Sequence, residues 1–210
     1  MHFVDETAPP RRTRLTAEQR RESILNAATE VFAAAGYRAA KVSDVAARIG
    51  VSEPVIFQNF GSKEALYAAV LDRAARGIRA ELHALAGQHG SAAELLAHVL
   101  SPAGDSGPHR PGTHGALFAD AATLLADPGL TEAAKGAART LVDHLAGLLR
   151  RGQADGSIRA DADPEAAAWL LLSVLAARHW RAALMPDPAR LEGGVSGLAL
   201  SALVPPGEHE

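Results

Sequence analysis

Apolar positions recur at helical spacing along most of the chain. Ile24, Ala27, Ala28, Val31 and Phe32 form a first stripe and predict a helix from Thr16 to about Ala35. The run Thr16, Ala17, Glu18, Gln19 is a capping box at its start. Gly36 ends it, and Tyr37 begins the link to the next element. Val45, Ala46 and Ile49 predict a short second helix, with Ser43 as N-cap, Asp44 in the first turn and Gly50 as the left-handed terminator. Val51 fills the corner. Ser52 caps a third helix, and Pro54 sits in its first turn, where a missing N–H costs nothing. Ile56 and Phe60 face inward, leaving Val55, Gln58 and Asn59 to face out. Two short helices around a tight turn form a helix-turn-helix, with 52–60 as the helix that enters a major groove. The same pattern also suits a plain helical hairpin in a bundle.

Ser62 caps the next helix, whose stripe of Leu66, Tyr67, Val70 and Leu71 carries it to about Ala86 as a rigid rod. Residues 87–114 are rich in Gly, Pro, His and Ser, interrupted by one short helix over 92–100; 101–112 reads as a mobile loop. Helices are expected at 114–126 and 130–152, separated by Asp127, Pro128 and Gly129. A turn-rich connector covers 153–164. The segment 165–184 is apolar nearly all round, which predicts burial on most faces. Pro186 and Pro188 break it before a last helix, 188–203, rich in small residues. This helix pair suits a subunit interface packed by Trp169, Leu172, Val174 and Leu175; an ordinary core pair has the same pattern.

Composition agrees with an all-α fold: 48% of residues are hydrophobic, only 4% aromatic, and β-branched runs are almost absent. The absence of cysteine removes disulfides and thiolate metal sites. No apolar run reaches a membrane-spanning length, and no signal-peptide core is visible, so a cytoplasmic protein is expected. The net charge of −3 divides unevenly. Residues 1–80 hold 12 Lys and Arg against 9 Asp and Glu, and the remainder holds 9 against 15. The positive part contains the helix-turn-helix. Of nine histidines, no two lie three or four apart. His109 and His114 fall in the expected loop, while His98, His144 and His179 fall on helices. With no phosphate loop, nucleophile elbow or paired acids, no catalytic residue, metal ligand or cofactor is assigned.

Residues 16–70 resemble the DNA-binding region of the tetracycline-repressor (TetR) family of bacterial regulators. The resemblance rests on I-L-N-A-A-T-E-V-F-A-A-A-G-Y, V-S-D-V-A-A-R-I-G-V-S and I-F-Q-N-F-G-S-K-E-A-L at the family's spacing. The connector G-S-I-R-A-D-A-D-P-E-A-A-A is similar to the segment before the family's dimerisation helix. Residues 1–15, with Pro9, Pro10, Arg11, Arg12 and Arg14 and little apolar content, read as a disordered basic arm. The resemblance implies an all-α homodimer with a helix-turn-helix domain (16–62) and a helical effector-binding and dimerisation domain (63–205). It also implies a double-stranded DNA operator and a small-molecule effector that releases it.

On this reading Lys41, Ser43, Arg48, Ser52 and Lys63 are candidate phosphate contacts, and Gln58 and Asn59 are candidate base readers. The chain departs from the family at Glu53, Pro54, Val55 and Phe57. Val55 and Phe57 stand where hydroxyl side chains usually bind phosphate, and Glu53 would repel one. The apolar C-terminal part suits a hydrophobic effector held between the rod helix and the helices at 114–126, 130–152 and 165–184. Phe118, His144 and Trp169 are candidate wall residues. The alternatives are a helical interaction protein that has lost operator binding and, from another class, a small-molecule-binding enzyme.

Overall fold

The computed structural model describes residues 16–101 and 111–206, which form helices and turns with no strand among them. Three helices build the N-terminal unit: α1 (Ala17–Ala39), α2 (Val42–Ile49) and α3 (Glu53–Phe60). The rod α4 (Lys63–Ala86) and the short α5 (Ala92–Leu100) follow. Then come α6 (Pro111–Thr123), α7 (Pro128–Ala154), α8 (Pro164–Ala176), α9 (Arg178–Leu184) and α10 (Pro188–Ser201).

Helix starts follow local chemistry. The Thr16–Gln19 capping box closes in both directions. Ser62, Ser91, Asp127 and Asp163 each accept a backbone N–H of the first turn they cap. The start of α2 differs from the expectation. Lys41 is the N-cap residue and Ser43 lies inside the first turn, because Val42 already turns its side chain into the core. His114 lies within α6 rather than in a loop, and the expected mobile segment falls largely outside the described residues.

Two apolar clusters hold the helices. The first joins Ile24, Ala28 and Phe32 of α1, Val45 of α2, Ile56 and Phe60 of α3, and Leu66, Tyr67 and Val70 of α4. It continues without a break into Leu117 and Leu124 near α6 and Leu130 and Leu141 of α7. So short an N-terminal unit buries little surface alone, and the rod and α6 complete its core. The second cluster packs Leu95 and Leu100 of α5 against Leu145 and Leu149 of α7, Leu171 of α8, and Ala199 and Leu203 at the C-terminal end.

Polar contacts lock the two halves together. Asp120 on α6 accepts the Tyr37 backbone N–H at 2.8 Å and the Tyr67 hydroxyl at 2.7 Å, both on one carboxylate oxygen. Gly36 makes this approach possible. Its φ is +71°, and a Cβ there would sit 2.8 Å from the other Asp120 oxygen. Arg73 of α4 reaches α1 at the Leu25 carbonyl (3.1 Å), Thr29 (2.7 Å) and Asn26 (2.7 Å).

The segment 165–184 is not one helix. It breaks at Ala177 between α8 and α9. There Arg178 donates to the Leu100 carbonyl at 2.7 Å, and Arg181 donates to the Val174 carbonyl at 2.8 Å. Two guanidinium groups are thus turned inward onto Glu192 of α10, which is only 5% exposed. Arg181 meets its two oxygens at 2.6 and 3.0 Å, and Arg178 lies at 3.6 Å. The apolar sequence of α8 also fails to bury it all round. Ala167, Ala168 and Leu171 are buried, but Trp169 and Leu170 are 46% and 44% exposed. Alanines on the inner face let the larger side chains lie outside.

The Arg181 hydrogen bonds, followed by the charges of Arg181 and Arg178, hold the Glu192 carboxyl below its ordinary value against the opposing effect of burial. A carboxyl lowered in the folded state stabilises the fold above the ordinary carboxylate range, and that stabilisation is lost as pH falls through the folded value. Glu192→Gln is therefore expected to destabilise the protein at neutral pH by about 3 kcal/mol, because two inward cations lose their counter-charge. Urea denaturation from pH 7 to 3 should show a shallower acid loss in the variant than in the parent.

Candidate nucleic-acid interface

The α2–turn–α3 unit is set by two opposed demands. Val45, Ala46, Ile56 and Phe60 need burial, and the turn between them must reverse within a few residues. Gly50 meets the second demand at φ +68°, ψ +36°, a left-handed conformation that ends α2 without steric cost. The Val51 N–H then closes on the Ala46 carbonyl at 3.0 Å. Pro54 occupies the first turn of α3, and Ser52 stands at its N-cap position with no capping bond from its side chain. The Ser52 hydroxyl is exposed and uncommitted to the cap.

The candidate residues fall at three successive helix starts. Exposed Lys41 and half-buried Ser43 lie at the start of α2, Ser52 at α3 and half-buried Lys63 at α4. Helix N-termini present unpaired N–H groups and positive dipole ends, which suits phosphate. The Lys63 ammonium lies 4.6 Å from the centre of the Tyr37 ring, whose hydroxyl donates to Glu64 at 2.8 Å. Arg48 is placed differently. It sits at the far end of α2 in an ion pair with Glu30 of α1, away from the helix starts.

On α3, Gln58 is exposed and Asn59 is half-buried. The Asn59 amide turns back to donate to the Val55 carbonyl at 2.7 Å, so its reach outward is reduced. Arg21 of α1 was not anticipated. It donates to the Asn59 carbonyl at 2.9 Å and lies 4.2 Å from the centre of the Phe60 ring. It holds the C-terminal end of α3 from a position 38 residues away, which no local sequence pattern announces. Tyr37 and Asp120 were equally silent, since their partnership spans 83 residues.

The candidate effector residues are not gathered around one cavity. Phe118 is half-buried against the first cluster, and Trp169 is exposed. Between these helices Leu117, Ala121, Leu124, Leu130 and Leu141 pack as part of one buried cluster. His144 is half-buried, and its Nε2 atom has no hydrogen-bond partner among the described residues. Burial, then the charges of Arg151, Arg79 and His83, lower its pKa and favour the neutral ring. Two open surface clefts among the described residues lie elsewhere. One of about 590 Å³ runs between Ala93, Ala97, Leu200 and Val204; another of about 430 Å³ lies between α1 and α2. Among the same residues no group of three metal-ligating side chains occurs, and no helix is long and apolar enough to cross a membrane.

Two family models match the chain. The model described as bacterial regulatory proteins, tetR family, covers residues 24–70, and a tetracyclin repressor-like C-terminal domain covers 115–197. The chain belongs to the tetR family of bacterial regulatory proteins. The first match runs from α1 into α4 and the second from α6 into α10. A stretch of 63 residues is 51% identical to the HTH-type transcriptional activator FasR of Mycolicibacterium smegmatis, covering 30% of this chain and 29% of that protein. The chain thus matches under a third of the length of the curated relatives. Among solved structures, a tetR-family regulator from Cytophaga hutchinsonii has a TM-score of 0.76 at 16% identity, covering 93% of this chain and 100% of its own. FadR from Bacillus subtilis, solved with stearoyl-CoA, has a TM-score of 0.63 at 21% identity, covering 86% and 97%. These two likenesses establish the shared helical fold.

The Arg21 contact has a measurable value. Arg21→Ala is expected to cost about 1–2 kcal/mol of stability, from one hydrogen bond and one partly exposed cation–π contact. Amide exchange should quicken selectively in the last turn of α3; uniform exchange across the N-terminal unit would mean that Arg21 does not hold that end.

Proposed function

We propose that the chain is a homodimeric DNA-binding transcriptional regulator of the cytoplasm, released from its operator by a hydrophobic or amphipathic small molecule. The observation that carries this reading is the helix-turn-helix with an exposed outer face, joined to the C-terminal helices through Asp120. Phosphate contacts are assigned to Lys41, Ser43, Ser52 and Lys63 at helix starts, and base contact to Gln58, with Asn59 secondary. Arg48 is the weakest of the candidates because Glu30 already neutralises it. No enzymatic step is assigned, and the functional division remains 16–62 for DNA and 63–205 for effector and partner.

The dimer is supported by a large exposed apolar face. Trp169, Leu170, Trp180, Leu184 and Leu198 of α8–α10 are between 44% and 73% exposed in the single chain. Such a face on a soluble domain marks a contact surface. Two-fold pairing of α8 and α10 would cover it isologously and set the two recognition helices at a fixed separation. Leu172, Val174 and Leu175 are half-buried against their own chain, so the exposed tryptophans and leucines carry more of this contact.

The effector reading is supported by the fatty acyl ligand named for the FadR structure, a property of that protein. In this chain the ligand would enter between the rod α4 and helices α6, α7 and α8 by displacing side chains of a packed core, a population shift rather than occupation of a ready cavity. Release accounts for repression. The activator name of FasR shows that the sign of control can differ within the family. The lack of Lys and Arg on α3 favours one alternative, an interaction protein without operator binding.

Selection of duplexes from a random library with full-length protein separates these readings. Enrichment of a pseudo-palindrome is expected; no enrichment would leave the interaction-protein reading. Lys41→Ala should weaken binding to all duplexes alike and reduce the salt slope by about one. Asp120→Asn keeps an acceptor but loses its charge. It should leave the dimer intact by sedimentation while shrinking the factor by which long-chain acyl-CoA weakens duplex binding. An unchanged factor would remove Asp120 from the coupling.

A further inference from the structure

The outer surface of α3 has an unusual chemistry for a helix that enters a groove lined by phosphates. Residues 53–60 contain no lysine or arginine. The helix therefore has no Arg or Lys donor for the O6 and N7 atoms of guanine, the commonest specific contact. Its exposed residues are Glu53, Pro54, Phe57 and Gln58, with Val55 half-buried beside them. Phe57 is 40% exposed, whereas the other aromatic side chains of the N-terminal unit, Phe32, Tyr37 and Phe60, are at most 9% exposed. It is the one large apolar side chain that the described N-terminal unit leaves in solvent; the others lie at Leu125 and on α8–α10. Nothing in the fold requires it there, since Ile56 and Phe60 already fill the inner face. Only one base carries an apolar group in the major groove, and that is thymine with its 5-methyl.

We propose that Phe57, with Pro54 one turn before it on the same face, is a specificity-determining residue that reads thymine through its methyl group. The inference rests on the operator-binding reading above and adds the base class that α3 selects. Gln58 supplies the complementary polar contact, to adenine N6 and N7. The half-site therefore presents a thymine to Phe57, and its sequence preference rests on methyl burial and the Gln58 contact, while Lys41 and Lys63 supply phosphate contacts that carry no sequence information. The missing hydroxyl at position 57 fits this role. A phenol at that place would be drawn to phosphate, while a phenyl ring gains only from apolar surface.

The test works on whatever operator the protein itself selects. Full-length protein is used to enrich duplexes from a random library, and each thymine of the enriched half-site is replaced in turn by deoxyuridine. This exchange removes one methyl and keeps every hydrogen-bonding group. One or two thymines per half-site should show a loss of roughly fourfold per methyl, and roughly fifteenfold when both half-sites are changed together. Phe57→Ala should bind the thymine and uracil duplexes equally at that position while keeping the dimer and the helical signal of the parent. A flat uracil scan in the unmodified protein, or enriched half-sites without thymine, overturns the inference and leaves operator binding standing. A uracil penalty that survives in Phe57→Ala overturns the assignment to Phe57. Failure to enrich any duplex overturns the operator reading itself, and this inference with it.

Discussion

The Asp120 carboxylate is the contact on which the arrangement of the two halves depends. One of its oxygens accepts both the backbone N–H that follows the kink in α1 and the hydroxyl of Tyr67 in the middle of the first core. A charged acceptor makes each bond stronger than a neutral pair, and partial burial raises the cost of leaving either donor unmatched. The geometry is demanding. Residue 36 must adopt positive φ and must also lack a Cβ, and glycine alone meets both conditions. Burial, reinforced by Asp120, pushes the Tyr67 hydroxyl well above the usual phenol range, so it remains a donor at any physiological pH. Phe32, Tyr37 and Tyr67 pack around this point, with Tyr67 5.0 Å from each of the other two ring centres. The junction therefore sets a charged contact against three buried rings, and each part restrains the other.

Restraint here bears on recognition. Arg73 ties α4 to α1, Arg21 ties α1 to the end of α3, and Asp120 ties α1 and α4 to α6. The recognition helix thus has little freedom to adjust its own angle. Any change in its presentation must come from movement of the whole N-terminal unit with α4. Such a unit suits a helix surface that gains from shape and apolar contact, because methyl contacts weaken quickly with misplacement. Long flexible basic side chains would tolerate a looser frame, and α3 has none.

The sequence made the local half of this legible. Capping boxes, left-handed glycines and apolar stripes act within one or two turns, so α4 and α5 appear within a residue or so of where the pattern places them. The motif spacing of the first third was equally readable. What escaped were contacts whose partners lie far apart in sequence, such as Tyr37 with Asp120 and Arg21 with Asn59. The break at Ala177 escaped for a related reason. An apolar run reads as one helix, and only the inward turn of Arg178 and Arg181 onto Glu192 shows where it divides. The effector residues were the least legible. Spacing can place Phe118, His144 and Trp169 on helices but cannot say whether the space between helices is open or filled.

The packing between these helices constrains any coupling between ligand and DNA. Leu117, Ala121 and Leu124 form part of it, and Asp120 lies among them on and beside α6. A ligand that displaces these side chains must move α6, and α6 cannot move far without straining the bonds to Tyr37 and Tyr67. The free energy of opening is drawn from binding energy, so apparent ligand affinity falls as the closed state is stabilised. Operator binding, if it favours the closed frame, raises that cost by the same factor by which the ligand weakens DNA binding. A preformed cavity remote from α6 would lack this property, since it could fill without touching the junction. On the proposed reading, closure of the core around Asp120 is what would turn occupancy of the C-terminal helices into a change at α3.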